Sequence, residues 1–434
     1  MRDSDMKKSF MPHIVNLEQL LNHQLAGLKW TVSHVFQGSQ FYRKKFDNVG
    51  VIPEDIQSLE DLSKLPFTTS NDLQEGYPYP LLSVSEKEVV RIHASSGTTG
   101  KRKVLCYTQK DLDTWFDMFA RCYEMAGVGN EDRVQIAVGF GVWSAGMGFQ
   151  LGCERLGAMA IPSGPGNMEL QCQLLQDMKS TVFCCTASMA LLIAEEVNKR
   201  GLKEKIHLKK IIMGSERCSP AMRARIHELL DINDLFDITG MTELYGPGTG
   251  IDCSRHEGIH YWADKFILEI IDPESLKPVK EGEVGEMVVT TLCKEAVPLV
   301  RYRTRDLTRK LRQGCSCGSI LPLHDKILGR SDDMIILRGV NIYPGQIDRL
   351  LSSIPELGSE YQLHLERKDD GKDYMTIKVE IGQESQSLDW EKIECKIRDL
   401  VKSKVLVSCK AEICSYGELP RFAGKAKRIF DERV

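Results

Sequence analysis

The sequence has no apolar run near the roughly 18 residues that a membrane-spanning helix needs. Its first residues, MRDSDMKKSFMPHIVNL, hold no apolar segment of the kind a secretory leader carries. Net charge is scarce as well. The 57 basic and 61 acidic residues leave −4, which excludes the strongly basic face of a nucleic-acid-coating domain. Internal repeats and low-complexity tracts are missing. A globular protein of the cytoplasm is expected, with neither membrane nor nucleic acid as a partner. At 434 residues the chain is too long for one core, so two or three domains are expected.

Disulfides are not expected despite 14 cysteines. Cys122, Cys153, Cys172, Cys184 and Cys185 fall in apolar segments, where cysteine acts as a small buried hydrophobe. A chain without a leader keeps its thiols reduced. Cys253, Cys315 and Cys317 stand apart from these apolar segments.

Two common nucleotide signatures are also missing. SSGTTGKRK (95–103) lacks the four residues between glycines and the Ser or Thr after lysine that a Walker A loop requires. GFG (139–141) is followed by Ser144 where a Rossmann loop needs glycine. What is present in 95–103 still suits a polyphosphate. Gly97 and Gly100 let the backbone bend closely around a ligand. Ser95, Ser96, Thr98 and Thr99 supply hydroxyls, and Lys101 supplies charge.

The apolar pattern predicts helices near 17–46 and a helical EDIQSLEDL, followed by a loop-rich stretch with the turn-forming YPYP. Alternation follows. VQIAV (134–138), AMAIP (158–162), TVFCC (181–185), KKIIM (209–213) and DLFDI (234–238) read as strands separated by helix-sized segments. Such alternation implies βαβ units and a largely parallel sheet covered on both faces. After residue 260, KFILEIID and EMVVTTL read as strands joined by short turns. Beyond about 330 a smaller unit is expected, with strands MIIL, YQLHL and MTIKVEI and a helix at 388–403. The fold class is thus α/β. A large domain (1–328) carries mostly parallel sheets and a barrel-like β subdomain at about 245–328. A boundary at 329–333, where glycine and charge interrupt the strands, leads to a small α+β domain (334–434).

SSGTTGK, GMTE (240–243), YRTRD (302–306), GRSDD (329–333) and a C-terminal GK (424–425) occur in an order that resembles the adenylate-forming superfamily. FYRKKFDNVGV, LPFTTSNDL, RIHASSGTTGK, RYRTRDLT and LRGVNIYPGQID resemble the phenylacetate–CoA ligase branch over nearly the whole chain. The resemblance implies an ATP-dependent acid–CoA ligase that forms an acyl-adenylate and then a thioester. ATP, Mg²⁺ and coenzyme A would be its cofactors and a small carboxylic acid its substrate. A homodimer stays an open option.

The resemblance also assigns roles. Ser95, Ser96, Gly97, Thr98, Thr99, Gly100 and Lys101 would wrap the β- and γ-phosphates. Glu243 would hold Mg²⁺, which prefers hard oxygen ligands. Asp306 would accept hydrogen bonds from the ribose hydroxyls. Gly214, Ser215 and Glu216 would form the adenine-side loop. Arg330 and Asp332 lie at the domain junction, with Asp332 as the hinge. Lys425 would reach the reacting carboxylate and α-phosphate. Two residues depart from the superfamily pattern: Thr239 replaces an aromatic before GMTE, and Arg305 replaces glycine before Asp306. The acid pocket is expected at Phe140, Gly141, Trp143 and Ala145, after the first strand of the sheet. Their nearest alternative is ordinary core.

A zinc site is the last expectation. Cys315 and Cys317 form a C-x-C pair, and Cys253 precedes both His256 and His260. Cys₃His is a usual tetrahedral set. His260 is preferred because GIHYWADKF resembles a recurrent family segment, and the role is expected to be structural. Two rival readings are an adenylyltransferase that does not use CoA and a non-catalytic nucleotide-binding regulator.

Overall fold

The computed structural model describes residues 9–433 except 76, 80, 96–101, 312–313, 334, 339, 369–371 and 422–426. Asn16 caps the first helix, Leu17–Gly38, by accepting from the Gln19 N–H, as an N-cap side chain should. That helix buries Leu20, Leu28, Val32 and Val35. A second helix, Gln40–Asp47, follows at once. EDIQSLEDL is not an α-helix: it yields the short 3₁₀ turns Pro53–Asp55 and Glu60–Lys64. The reason lies in its aspartates. Asp55 accepts from the Ile52 N–H, and Asp61 from the Gln57 and Ser58 N–H groups. These local bonds offer the backbone an alternative to the helix.

An eight-stranded mixed sheet forms the centre. Its order is 323–324, 259–261, 246–252, 234–241, 210–214, 182–186, 133–136 and 159–161. The last five are mutually parallel, and the first three add to them antiparallel. The helices Ala145–Leu156, Met168–Asp177, Ala187–Lys199 and Pro220–Leu230 return the chain between the parallel strands. The strand Val182–Thr186 is buried at every position, which explains why it reads as a continuous apolar run rather than an alternating one. The β-rich stretch after residue 245 is shared between sheets. Part of it extends the central sheet. Phe266–Ile271, Gly285–Thr291, Tyr302–Thr308 and Gly329–Arg330 form a separate antiparallel sheet of four.

From residue 335 the apolar side chains gather into a core of their own, including Leu363, Ile377, Ile397 and Val401. There a sheet ordered 410–414, 373–381, 357–367, 429–431 packs with the helices Pro344–Leu351 and Trp390–Val405. Polar contacts are among those that join this part to the rest. Arg217 Nη1 lies 2.9 Å from Asp348 Oδ2, the Tyr416 hydroxyl donates to Glu195, and Arg225 Nη2 donates to Gln383 Oε1 at 2.5 Å. Among the described residues, no helix is long and apolar enough to cross a membrane.

Candidate active site and metal centre

The phosphate-loop candidate joins two short antiparallel strands, Arg91–Ala94 and Val104–Tyr107. Its base is closed by the Ser95 N–H on the Lys103 carbonyl at 3.0 Å and the Lys103 N–H on Ser95 Oγ at 3.4 Å. Ser96, Gly97, Thr98, Thr99, Gly100 and Lys101 lie outside the described residues, as does Lys425. The ends around Lys425 are described and anchored. Arg421 forms a two-armed ion pair with Glu380, both contacts at 2.8 Å, and Arg428 reaches Glu360 at 3.3 Å.

Glu243 sits in the turn between the strands Asp234–Met241 and Gly246–Asp252. It is 8% exposed. Its Oε1 accepts from Lys103 Nζ at 2.6 Å and from the Tyr302 hydroxyl at 3.4 Å. A nearly buried carboxylate next to the base of the phosphate-loop candidate therefore already holds a cation, the Lys103 ammonium. Neither partner was singled out in the sequence. Lys103 stands two residues past Lys101 in the same basic run, and Tyr302 opens YRTRD, so the signal was present in both.

Asp306 lies on the strand Tyr302–Thr308, 3.2 Å from Arg330 Nη1. Arg330 also holds Asp332 with two contacts at 2.8 and 2.9 Å. One guanidinium thus ties the ribose candidate to the hinge candidate. Asp306 and Thr239 line the same small cavity, with Gly240, Met241, Leu244 and Tyr261. Its volume is about 30 Å³. Arg305 has φ +69°, a left-handed conformation that favours glycine. This chain nonetheless sets an arginine there, 3.5 Å from Glu286.

Gly214 ends the strand Lys210–Gly214, and a Cβ there would meet Ile238 Cγ2 at 2.9 Å. Ser215 follows in the left-handed region at φ +69°. Glu216 accepts from the Ser188 N–H at 2.6 Å, which satisfies an orphan donor at the start of the helix Ala187–Lys199.

Phe140, Gly141 and Trp143 occupy the loop after the strand Arg133–Ile136. Gly141 is left-handed at φ +95°. Phe140 and Trp143 are half-buried and pack against the main core. Ala145 is 2% exposed and belongs to that core. The Val142 carbonyl accepts from the Ala94 N–H at 3.0 Å and lies 3.1 Å from His93 Nδ1. These contacts bind the loop to the strand that enters the phosphate-loop candidate.

Cys253, His260, Cys315 and Cys317 come together, with ligand atoms all within 4.8 Å of one another. Cys253 and Cys315 sulfurs are 3.5 Å apart, and Cys317 Sγ is 3.5 Å from His260 Nε2. His260 Nδ1 lies 3.2 Å from the Leu321 carbonyl. A proton on Nδ1 would donate there and leave the Nε2 lone pair facing the thiols, the usual support for a metal-binding histidine. Burial lowers the His260 pKa and so favours the neutral ligand form. His256 is engaged elsewhere, with Nδ1 2.7 Å from Asp252 Oδ2.

With known proteins, the AMP-binding enzyme family matches residues 36–293, and the AMP-binding enzyme C-terminal domain matches 339–433. A phenylacetate–coenzyme A ligase of Pseudomonas putida is 39% identical over 426 residues, covering 96% of this chain and 95% of that protein. One from Escherichia coli (strain K12) is 40% identical over 425 residues, covering 96% of each. A crystal structure of 2-hydroxyisobutyryl-CoA ligase, postadenylation state with R3-HIB-AMP, matches at TM-score 0.88 and 25% identity, covering 100% of this chain and 94% of that one. The same ligase with 2-HIB-AMP and CoA, in the thioesterification state, matches at only 0.70, with 26% identity and 98% and 91% covered. The arrangement seen here is therefore nearer the postadenylation one. Full-length similarity at this level leaves one assignment: the chain belongs to the AMP-binding, adenylate-forming enzymes, in the phenylacetate–CoA ligase branch, and is an ATP-dependent acid–CoA ligase.

Proposed function

We propose that the acid is an aryl-acetic acid of the phenylacetate class. The observation that carries this is near-full-length identity of about 40% to phenylacetate–CoA ligases. The half-buried rings of Phe140 and Trp143 on the loop tied to the phosphate-loop strand support it. In the first step, a carboxylate oxygen bonds to the α-phosphorus of ATP and the bond to pyrophosphate breaks. In the second, the CoA sulfur bonds to the acyl carbon, the thiol proton is lost and AMP leaves. The protein has no need of a covalent nucleophile. It positions reactants and neutralises charge on the phosphates.

In this reading Ser95 to Lys101, with Lys103, hold the phosphates. Asp306 takes the ribose, and Gly214 to Glu216 border the adenine with Thr239. Lys425 neutralises charge at the α-phosphate. Glu243 fits a hard divalent cation, because its carboxylate is nearly buried and already accepts a cationic partner. Mg²⁺ bound there would neutralise the triphosphate. Three thiols and one imidazole fit zinc, and the set is a closed structural one. The small domain, 334–434, would turn about 329–333 between the two steps. The enzyme would work in the cytoplasm. A homodimer is part of the same proposal for solution.

The test is kcat/KM for phenylacetate, an indole acid, benzoate and hexanoate. Burying a ring is worth on the order of 2–3 kcal/mol at about 25 cal/mol per Å², or roughly a hundredfold in specificity. Trp143→Ala should narrow the gap. If hexanoate equals or exceeds the aryl acids, the substrate assignment fails while the ligase chemistry stands.

A further inference from the structure

Lys294 is fully buried, yet it lies outside every motif assigned a role above. Its Nζ donates to the Glu243 carbonyl at 3.1 Å and to the Leu244 carbonyl. The same ammonium lies over the rings of Tyr107 and Tyr245, at 5.0 and 4.9 Å. Another side chain holds the same turn by its carbonyls. The Tyr107 hydroxyl donates to Tyr245 at 2.8 Å and to Thr242 at 3.4 Å. On the strand that follows the turn, the Pro247 carbonyl accepts from Trp115 Nε1 at 2.9 Å. Tyr107 lies on the strand that leaves the phosphate loop. The Asp111 carboxylate is buried as well. It attracts the ammonium and accepts from the backbone N–H groups of Glu295 and Ala296 at 2.7 and 2.9 Å.

A buried ammonium is a costly way to satisfy two carbonyls, since a neutral amide would escape the desolvation of a charge. What the lysine adds is a fixed positive charge. Lys103 differs: it pairs with the Glu243 side chain from a position 19% exposed and can exchange partners when nucleotide enters. Lys294 is enclosed and cannot. We propose that Lys294 is a positioning residue for adenylation, whose buried ammonium fixes the Glu243 turn and so aims its carboxylate at the metal–triphosphate complex. The proposal rests on the metal-binding reading of Glu243.

The experiment measures binding, with no turnover. Affinity for the magnesium complex of a non-hydrolysable ATP analogue is compared, by calorimetry, with affinity for a non-hydrolysable acyl-adenylate analogue, which carries neither metal nor triphosphate. Lys294→Met should weaken the magnesium–triphosphate analogue by about tenfold or more, the scale of a lost partner behind a metal ligand. Binding of the acyl-adenylate analogue should hold within about threefold. General structural damage would weaken both alike and overturns the proposal.

Glu243→Gln and the double variant close a cycle. If Lys294 acts through Glu243, the double variant is no weaker than Glu243→Gln alone, and additive losses overturn the idea. If Glu243→Gln itself leaves magnesium–triphosphate binding intact, the reading of Glu243 has failed first.

Should Lys294→Met not fold, Lys294→Gln supplies the test, since its amide can donate to a carbonyl without carrying a charge. Weaker binding of the magnesium–triphosphate analogue with acyl-adenylate binding held is again expected, and equal loss of both, or no loss of either, overturns the proposal.

Discussion

Arg217 is a direct probe of whether the arrangement of the small unit seen here serves adenylation, as proposed. It stands two residues past Ser215 and reaches across to Asp348 at 2.9 Å and to the Gly345 carbonyl at 3.4 Å. The packing beneath is close, since a Cβ on Gly345 would lie 1.9 Å from the Leu328 carbonyl. Arg217→Ala removes the ion pair and the hydrogen bond while leaving the Tyr416–Glu195 and Arg225–Gln383 contacts in place. The two side chains are 26% and 14% exposed. The pair thus falls between an open surface bridge and a shielded charged hydrogen bond, or about 1–2 kcal/mol. That energy corresponds to a factor of roughly 5–30 in the balance between orientations. ATP–pyrophosphate exchange is expected to fall by up to that factor. Thioester formation from purified acyl-adenylate and CoA is expected to hold or rise, if the small domain turns between the two steps as proposed. Asp348→Asn should act in the same direction with a smaller effect. Equal losses in both half-reactions would refute the reasoning and make Arg217 a general structural residue.

Three further outcomes are expected from the proposed roles. Purified protein should carry about one zinc per chain, and Cys315→Ser with Cys317→Ser should lose it and melt at lower temperature; metal analysis and thermal unfolding check both. Lys425→Ala should nearly abolish ATP–pyrophosphate exchange while sparing thioester formation from a pre-made adenylate. Lys103→Met should raise the KM for ATP more than it lowers kcat, if its charge serves ground-state phosphate binding.

The parallel half of the sheet was legible because buried strands such as Val182–Thr186 leave continuous apolar runs with helix-sized gaps between them. EDIQSLEDL misled because apolar spacing says nothing of aspartates that bond back to the local backbone. Donor chemistry left the Cys/His cluster open, and the family resemblance raised it to an expectation, although Cys253 and Cys315 are 62 positions apart. Choosing His260 over His256 there took a resemblance, and the geometry supplies the physical ground, since Asp252 occupies His256. Lys294 was not readable. A lysine in TLCKEAV looks like a solvated charge, and only the fold shows it enclosed by two tyrosines and two carbonyls. Arg305 was noticed as a departure from glycine, but its left-handed backbone appears only in the structure.

The central claim is that this chain joins an acid to CoA through an adenylate. The most direct measurement follows AMP, pyrophosphate and thioester together, with ATP, magnesium and phenylacetate, in the presence and absence of CoA. The expected result is pyrophosphate exchange without CoA, and stoichiometric AMP and phenylacetyl-CoA once CoA is added. AMP transfer to another acceptor with no thioester, or nucleotide binding with no exchange for any acid, would contradict it.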